Sequence, residues 1–105
     1  MENKIVADIG AGPYGYFSFR IAAQTPVRKI IAVDIDPTVN DFIEEAKNIL
    51  PEGSWERIET RLATPNDPML NEEEVDIISM VNLSFYLADR IDYFKKLQRG
   101  LKPWG

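Results

Sequence analysis

Three glycines and two aspartates are spaced as expected for binding a nucleotide-like ligand. Gly10, Gly12 and Gly15 follow a short apolar run that is rich in β-branched residues. Such a run predicts a buried strand, and the glycines predict a tight turn from that strand into a helix. A turn of this kind can present backbone N–H groups to a ligand. The alternative is that the glycines only permit the turn.

The two aspartates indicate which ligand this turn would hold. Asp34 lies 19 residues after Gly15, at the end of a second apolar run, where a carboxylate can accept both ribose hydroxyls of a nucleotide. Asp8 precedes the first glycine, and its charge disfavours the pyrophosphate of flavin and nicotinamide cofactors, which sits at a helix N-terminus. A cationic ligand is favoured instead. Asp34 is also compatible with a helix-cap role, but Asp36 already fills that role.

The apolar patterns predict alternating strands and helices that would position these residues. The predicted strands are Lys4–Ile9, Lys29–Asp34, Trp55–Leu62 and Val75–Leu83. The predicted helices are Tyr16–Ala23, Pro37–Leu50 with Asp36 as its N-cap, and Asp89–Leu101, and a loop covers Ala63–Glu74. This order predicts one α/β domain over residues 1–105, a Rossmann-like doubly wound parallel sheet in the order 3-2-1-4 with helices on both faces.

Composition narrows the chemistry further. The chain has neither cysteine nor histidine, which excludes thiolate metal sites, cysteine nucleophiles and imidazole bases, and we expect no metal. Seventeen acidic residues outnumber twelve scattered basic ones, so direct nucleic-acid binding is not expected. No apolar run approaches the length of a membrane span, and no charged leader precedes the first strand, so we expect a cytoplasmic protein with no membrane association.

The motifs resemble those of a known family. V-A-D-I-G-A-G together with V-D-I-D-P resembles the first two motifs of class I S-adenosylmethionine-dependent methyltransferases. V-D-I-I-S-M-V-N-L-S-F-Y-L, followed by a helix and L-K-P-W-G, is similar to that family's fourth strand, active-site edge and L-K-P-G-G turn. The resemblance covers the whole chain. It implies S-adenosylmethionine as cofactor and methyl transfer by direct displacement to an acceptor, for which a small molecule is favoured.

The resemblance also implies roles for individual residues. Asp8, Gly10 and Gly12 would surround the methionine moiety, and Asp34 would hold the ribose. Tyr14 and Gly15 are also assigned to the cofactor site. Ile35 would pack on the adenine, with Thr64 or Asp67 near its amine. Four residues lie at the end of the fourth strand, where the family positions the acceptor: Asn82, which we assign to the cofactor site, and Ser84, Phe85 and Tyr86, which we assign to substrate orientation. The alternative for Phe85 and Tyr86 is that they cap the core.

The catalytic residue is not assigned, although a hydroxyl acceptor would need a base among Asp67, Tyr86 and Asp89. The chain departs from the family pattern at Pro13-Tyr14-Gly15, which holds one residue more than the usual turn, and at Trp104, which replaces a glycine. It also lacks the family's fifth to seventh strands, which indicates a truncated, engineered or reconstructed minimal fragment.

Two consequences and two alternatives follow. Without a fifth strand, the fourth would be an exposed edge, and we expect a homodimer or strand swap through it. The chain would then be a cofactor-binding methyltransferase core. The first alternative is a non-catalytic binding module or folding fragment of such an enzyme, and the second is a flavin or nicotinamide Rossmann domain.

Overall fold

The computed structural model describes residues 3–10, 16–49, 55–80 and 90–103. Strands and helices alternate along the chain. The strands are β1 (Ile5–Ile9), β2 (Lys29–Asp34), β3 (Ile58–Leu62) and β4 (Ile77–Ser79). The helices are α1 (Tyr16–Gln24), α2 (Pro37–Ile49) and α3 (Arg90–Gly100), with a short 3₁₀ turn at Trp55–Arg57. Within these ranges, none of the helices has both the length and the apolar character that crossing a bilayer requires.

The four described strands form one parallel sheet in the order β3-β2-β1-β4, which confirms the predicted topology. β1 lies between β2 and β4, with Ala7 paired to Ile31 on one side and to Ile78 on the other. Because every pairing is parallel, the carboxyl ends of the strands meet at one edge of the sheet, which we call the carboxyl edge. This is the edge where ligands bind in open α/β sheets.

The two faces of the sheet are covered by different helices. Alternate side chains of a strand point to opposite faces, so Val6 packs against α1 and α2, whereas Ala7 and Ile9 pack on the side of α3. The face covered by α1 and α2 buries Ile21, Ile30, Ala32, Val39, Ile43 and Ile58, among others. The α3 face buries Ile31, Val33, Ala63, Val75, Tyr93 and Leu97. Burial on both faces explains why β1 and β2 are continuous apolar runs.

The helix boundaries agree closely with their sequence signals. The main-chain N–H of Thr38 donates to the Asp36 carboxylate at 2.9 Å, so Asp36 caps α2 as predicted. α1 extends to Gln24, one residue past the prediction, and Pro26 follows its end. Two residues named in the predicted helix ends, Leu50 and Asp89, lie outside the described residues.

The first strand was predicted from Lys4 but begins at Ile5, and two other strand predictions were longer than the strands by several residues. The third strand was predicted over Trp55–Leu62, but β3 begins at Ile58, because Trp55–Arg57 form a 3₁₀ turn, in which the Trp55 ring packs nearly perpendicular to that of Phe19 in α1 at a centroid distance of 5.0 Å. The fourth was predicted over Val75–Leu83. Its described strand is only Ile77–Ser79, and Val75 instead pairs in parallel with Leu101. Packing contacts distant in sequence, which local patterns do not reveal, set both starts.

Arg57 joins the start of β3 to the end of α1. Its guanidinium donates to the carbonyl oxygens of Ala22, Thr25 and Val27, at and just beyond the C-terminus of the helix. The last carbonyls of a helix have no partner within the helix, and a basic side chain is a favourable donor to them. Arg57 therefore fixes the position of α1, the helix that follows the glycine turn.

We expect Arg57→Ala to lower the free energy of unfolding by about 2 kcal/mol, since it removes charged hydrogen bonds and leaves half-buried carbonyls without their donor. Urea denaturation followed by circular dichroism measures the change. Arg28→Ala is the matched control: it removes the same charge from an exposed position and should change stability by less than about 0.5 kcal/mol. Equal effects of the two substitutions would contradict this role of Arg57.

Candidate functional site

The carboxyl edge brings together the ends of β1, β2 and β3. The N–H of Gly10 donates to the carbonyl of Val33 at 2.8 Å, which extends the β1–β2 pairing by one step beyond Ile9. The N–H of Ala63 donates to the carbonyl of Asp34 at 2.9 Å, which extends the β2–β3 pairing in the same way. Gly10, Asp34 and the residue after Ala63, Thr64, therefore leave the sheet side by side.

Gly10 marks the point at which the chain turns away from β1. Its φ angle is 71°, in the left-handed region that L residues with a side chain rarely adopt. The sequence prediction of a glycine turn at the end of the first strand is confirmed at this position. The other predicted members of the turn, Gly12, Tyr14 and Gly15, lie outside the described residues, so their role stays a prediction.

Asp8 lies at the carboxyl end of β1 and is buried, with 1% of its surface exposed. It shares the α1 face of the sheet with Val6, and the hydroxyl of Ser18 in α1 donates to its Oδ2 at 2.7 Å. Ser18 is itself completely buried. Ser18 was not among the predicted site residues: it is a single hydroxyl between Phe17 and Phe19 in the sequence, and its role depends on which face of α1 meets β1.

Burial raises the pKa of the Asp8 carboxyl above its ordinary value. The hydrogen bond from Ser18 opposes this effect and lowers the pKa, whereas the charge of Asp34 raises it further. Asp8 pairs with Ala32 of β2, and Asp34 lies two residues after Ala32. The side chains of Asp8 and Asp34 therefore point to the same face of the sheet. The arrangement concentrates negative charge beside Gly10, which favours a cation and disfavours an anion there.

Asp34 ends β2 and begins the turn into α2. Its Oδ1 accepts the N–H of Asp36 at 3.0 Å, so its carboxylate is oriented by the turn itself. Asp36, not Asp34, caps the helix: it accepts the N–H of Thr38 and its carbonyl accepts that of Val39. The side chain of Ile35, between the two acids, is 55% exposed and presents an apolar surface next to Asp34.

Thr64 and Asp67 lie in one short turn after β3. Their main chains exchange two hydrogen bonds, at 3.1 and 3.2 Å, and Asp67 Oδ1 accepts the N–H of Met69 at 2.8 Å. Burial raises the pKa of Tyr93 in α3, and the charge of Asp67 adds to this rise. The turn thus holds Thr64 at the carboxyl edge, exposed, and directs the charge of Asp67 toward α3. Their predicted contact with an adenine is untested.

The remaining predicted residues lie beyond the described part of β4. Asn82, Ser84, Phe85 and Tyr86 are all in this group, as is the candidate base Asp89. Ser79, the last residue of β4, is paired with Asp8, so β4 ends at the carboxyl edge too. In the ranges that the structure does describe, acidic side chains form no group of three able to hold a metal ion.

The three-dimensional fold is similar to that of several solved structures. They include a chain from the Haloferax volcanii complex that contains the Trm112 methyltransferase activator (TM-score 0.80, 19% identity, 99% of this chain and 43% of that one). A SAM-dependent methyltransferase from Aquifex aeolicus gives a TM-score of 0.78 at 20% identity, over 97% of this chain and 53% of that one. The [4+2]-cyclase SpnF gives 0.82 at 15% identity, over 99% and 37%.

These likenesses concern the fold, and the chain spans between 37% and 53% of the length of the three structures. A search of curated proteins found no significant match. A family model described as a methyltransferase domain matches residues 7–105. Because that match extends over almost the whole sequence, the chain belongs to the methyltransferase domain family.

Proposed function

We propose that this chain is the S-adenosylmethionine-binding part of a methyltransferase, with its cofactor site at the carboxyl edge between β1 and β2. The observation that carries the proposal is the pair of carboxylates, Asp8 and Asp34, on one face of the sheet beside the left-handed Gly10. Membership of the methyltransferase domain family supports the reaction class.

The negative charges at the carboxyl edge fit this cofactor better than they fit a dinucleotide. S-Adenosylmethionine carries a sulfonium and an ammonium group, and both are favoured near the negative charge of Asp8 and Asp34. A negatively charged pyrophosphate at the same turn would be repelled by these carboxylates. When bound, the cofactor supplies an electrophilic methyl group that an acceptor can take without a covalent enzyme intermediate.

Each residue of the carboxyl edge has a distinct task in this proposal. Asp34, oriented by the N–H of Asp36, accepts hydrogen bonds from the ribose hydroxyls. Ile35 supplies an exposed apolar surface for the adenine ring, and Thr64 or Asp67 lies toward its amine. Asp8 contributes charge near the methionine moiety, with Gly10 and Gly12 giving the backbone room to approach it.

The acceptor side of the site is proposed from the sequence. Ser84, Phe85 and Tyr86 would orient a small-molecule acceptor, and Asn82 would contact the cofactor. Positioning two reactants and excluding water supply most of the rate enhancement in a direct displacement. The absence of histidine and cysteine from the chain is compatible with such a reaction.

Calorimetric titration tests the cofactor assignment. S-Adenosylmethionine and S-adenosylhomocysteine should bind the purified chain, and NAD should not. Asp34→Asn should weaken both ligands by about tenfold to a hundredfold, since a hydrogen bond to a charged group contributes about 1.5–3 kcal/mol. Asp41→Asn, an equal change of charge at an exposed position of α2, is the control and should leave both affinities unchanged. Binding of NAD alone, or equal effects of the two variants, would overturn the proposal.

Asp8→Asn should have opposite effects on stability and binding. Because the pKa of Asp8 is raised in the folded state, stability is lost as the pH rises from the ordinary carboxyl pKa to the folded-state pKa, and the whole cost is present above the folded-state pKa. Asparagine keeps an acceptor for Ser18 without the charge. We therefore expect a higher urea midpoint at neutral pH, a smaller gain in acid, and at least tenfold weaker binding of S-adenosylmethionine.

The matched control for Asp8→Asn is again Asp41→Asn, measured at the same two pH values. A loss of stability at neutral pH, or unchanged affinity for S-adenosylmethionine, would show that Asp8 serves only to hold α1 against the sheet.

Self-association through β4 also remains a prediction. β4 is the outermost described strand on its side of the sheet, and an unpaired strand edge can pair with a second copy. Sedimentation velocity should then show a dimer whose fraction rises with concentration. A single monomeric species at every concentration would rule this association out.

A further inference from the structure

The contact between Ser18 and Asp8 joins the end of β1 to the first turn of α1. Asp8 stands at the end of β1 and Ser18 in the first turn of α1, ten positions apart in sequence, and the hydroxyl and carboxylate oxygens are 2.7 Å apart. Both residues are buried.

The hydroxyl of Ser18 donates to Asp8, which lies in the sheet beneath the helix. A serine or threonine inside a helix commonly donates to a carbonyl one turn earlier, as Thr25 does to Ile21 at 2.7 Å at the other end of α1. A hydroxyl has one proton to donate. Since Ser18 gives it to Asp8 Oδ2, that oxygen must act as an acceptor, and an ionised carboxylate is the strongest acceptor available.

The groups packed around Asp8 otherwise oppose its ionisation. On its own face of the sheet its neighbours are the apolar Val6 of β1 and Ala32 of β2, and on β4 the residue paired with it is Ser79, which does not titrate. From β2, Asp34 contributes a like charge. Within the described residues, Ser18 is the group whose contact lowers the pKa of Asp8, against burial and Asp34, which both raise it.

We propose that Ser18 is a positioning residue of the cofactor site, which holds Asp8 as a carboxylate beside the glycine turn and thereby sets the affinity for a cationic cofactor. The part that concerns the ligand rests on the function proposed above, because it takes S-adenosylmethionine as the cation. The part that concerns Asp8 stands on the hydrogen bond and on the burial of both residues. Ser18 acts through Asp8 and needs no contact with the cofactor.

The experiment compares wild type with Ser18→Ala and Ser18→Cys. Alanine removes the donor without adding volume and is favourable in a helix, and a thiol is a weaker donor of similar size. Thr25→Ala is the control, since it removes a hydroxyl from the end of α1 far from Asp8 along the helix. Two quantities are measured across a pH series: the titration midpoint of the Asp8 side-chain carboxyl carbon by NMR, and the Kd for S-adenosylmethionine by calorimetry.

Ser18→Ala should move the Asp8 midpoint to higher pH, Ser18→Cys should give an intermediate value, and Thr25→Ala should leave it unchanged. The affinity of Ser18→Ala for S-adenosylmethionine should fall by about tenfold at pH values between the wild-type and variant Asp8 midpoints, and recover at pH values above the variant midpoint. A merely structural role of Ser18 would weaken binding equally at every pH.

An unchanged Asp8 midpoint in both Ser18 variants would overturn the inference, and so would a loss of affinity that is independent of pH. The failure of the proposed function looks different: the wild-type chain would then bind no S-adenosylmethionine at any pH. In that case the NMR midpoints alone decide whether Ser18 keeps Asp8 ionised.

Discussion

Strand β1 constrains the rest of the structure, because it is paired on both edges and covered on both faces. Its parallel pairing with β2 and β4 sends the carboxyl ends of all three strands to one edge. Apolar side chains alternate toward α1 on one face and toward α3 on the other. Nothing in such a strand can change direction or register without disturbing both layers, so the turn that leaves it at Gly10 starts from a fixed point.

Asp8 is the one charged residue of the otherwise apolar strand β1, and it lies near the carboxyl edge of the sheet. Burying a carboxylate costs stability unless its charge is compensated, and Asp34 adds a like charge on the same face. A structure selected only for stability would have an apolar residue at this position. Retention of an acid here, next to a positive φ angle and at the edge where ligands bind, is the pattern expected of a site whose compensating charge comes from a ligand.

Local sequence signals predicted most of the fold because they coincide with tertiary demands. The runs at Ile5–Ile9 and Lys29–Asp34 are apolar since both faces are buried, and Asp36-Pro37 starts α2 through an ordinary cap. The predicted strand boundaries were wrong where contacts between residues distant in sequence determine them. Trp55, for example, packs against Phe19 and is not part of β3. Val75 pairs with Leu101 rather than continuing β4.

In the candidate site, too, some residues could be predicted from the sequence and others could not. Asp8, Gly10 and Asp34 could be located from spacing because parallel pairing makes strand ends neighbours, whatever the details of packing. Ser18 could not, since its significance depends on which face of α1 meets β1. A hydroxyl within an apolar helix is informative only when the sheet beneath it carries an acid at the matching position.

Ligand binding and folding are linked through this same carboxylate. Any cation that binds near Asp8 only in the folded state stabilises the fold by mass action, and it also lowers the pKa that burial has raised. The stabilisation gained on binding should therefore be largest at pH values above the Asp8 pKa, where ionisation of Asp8 costs the unliganded protein the most stability. In the unliganded protein Ser18 is the described partner that offsets part of this cost, and a bound cation would offset more of it, so the hydrogen bond and the ligand act on the same charge.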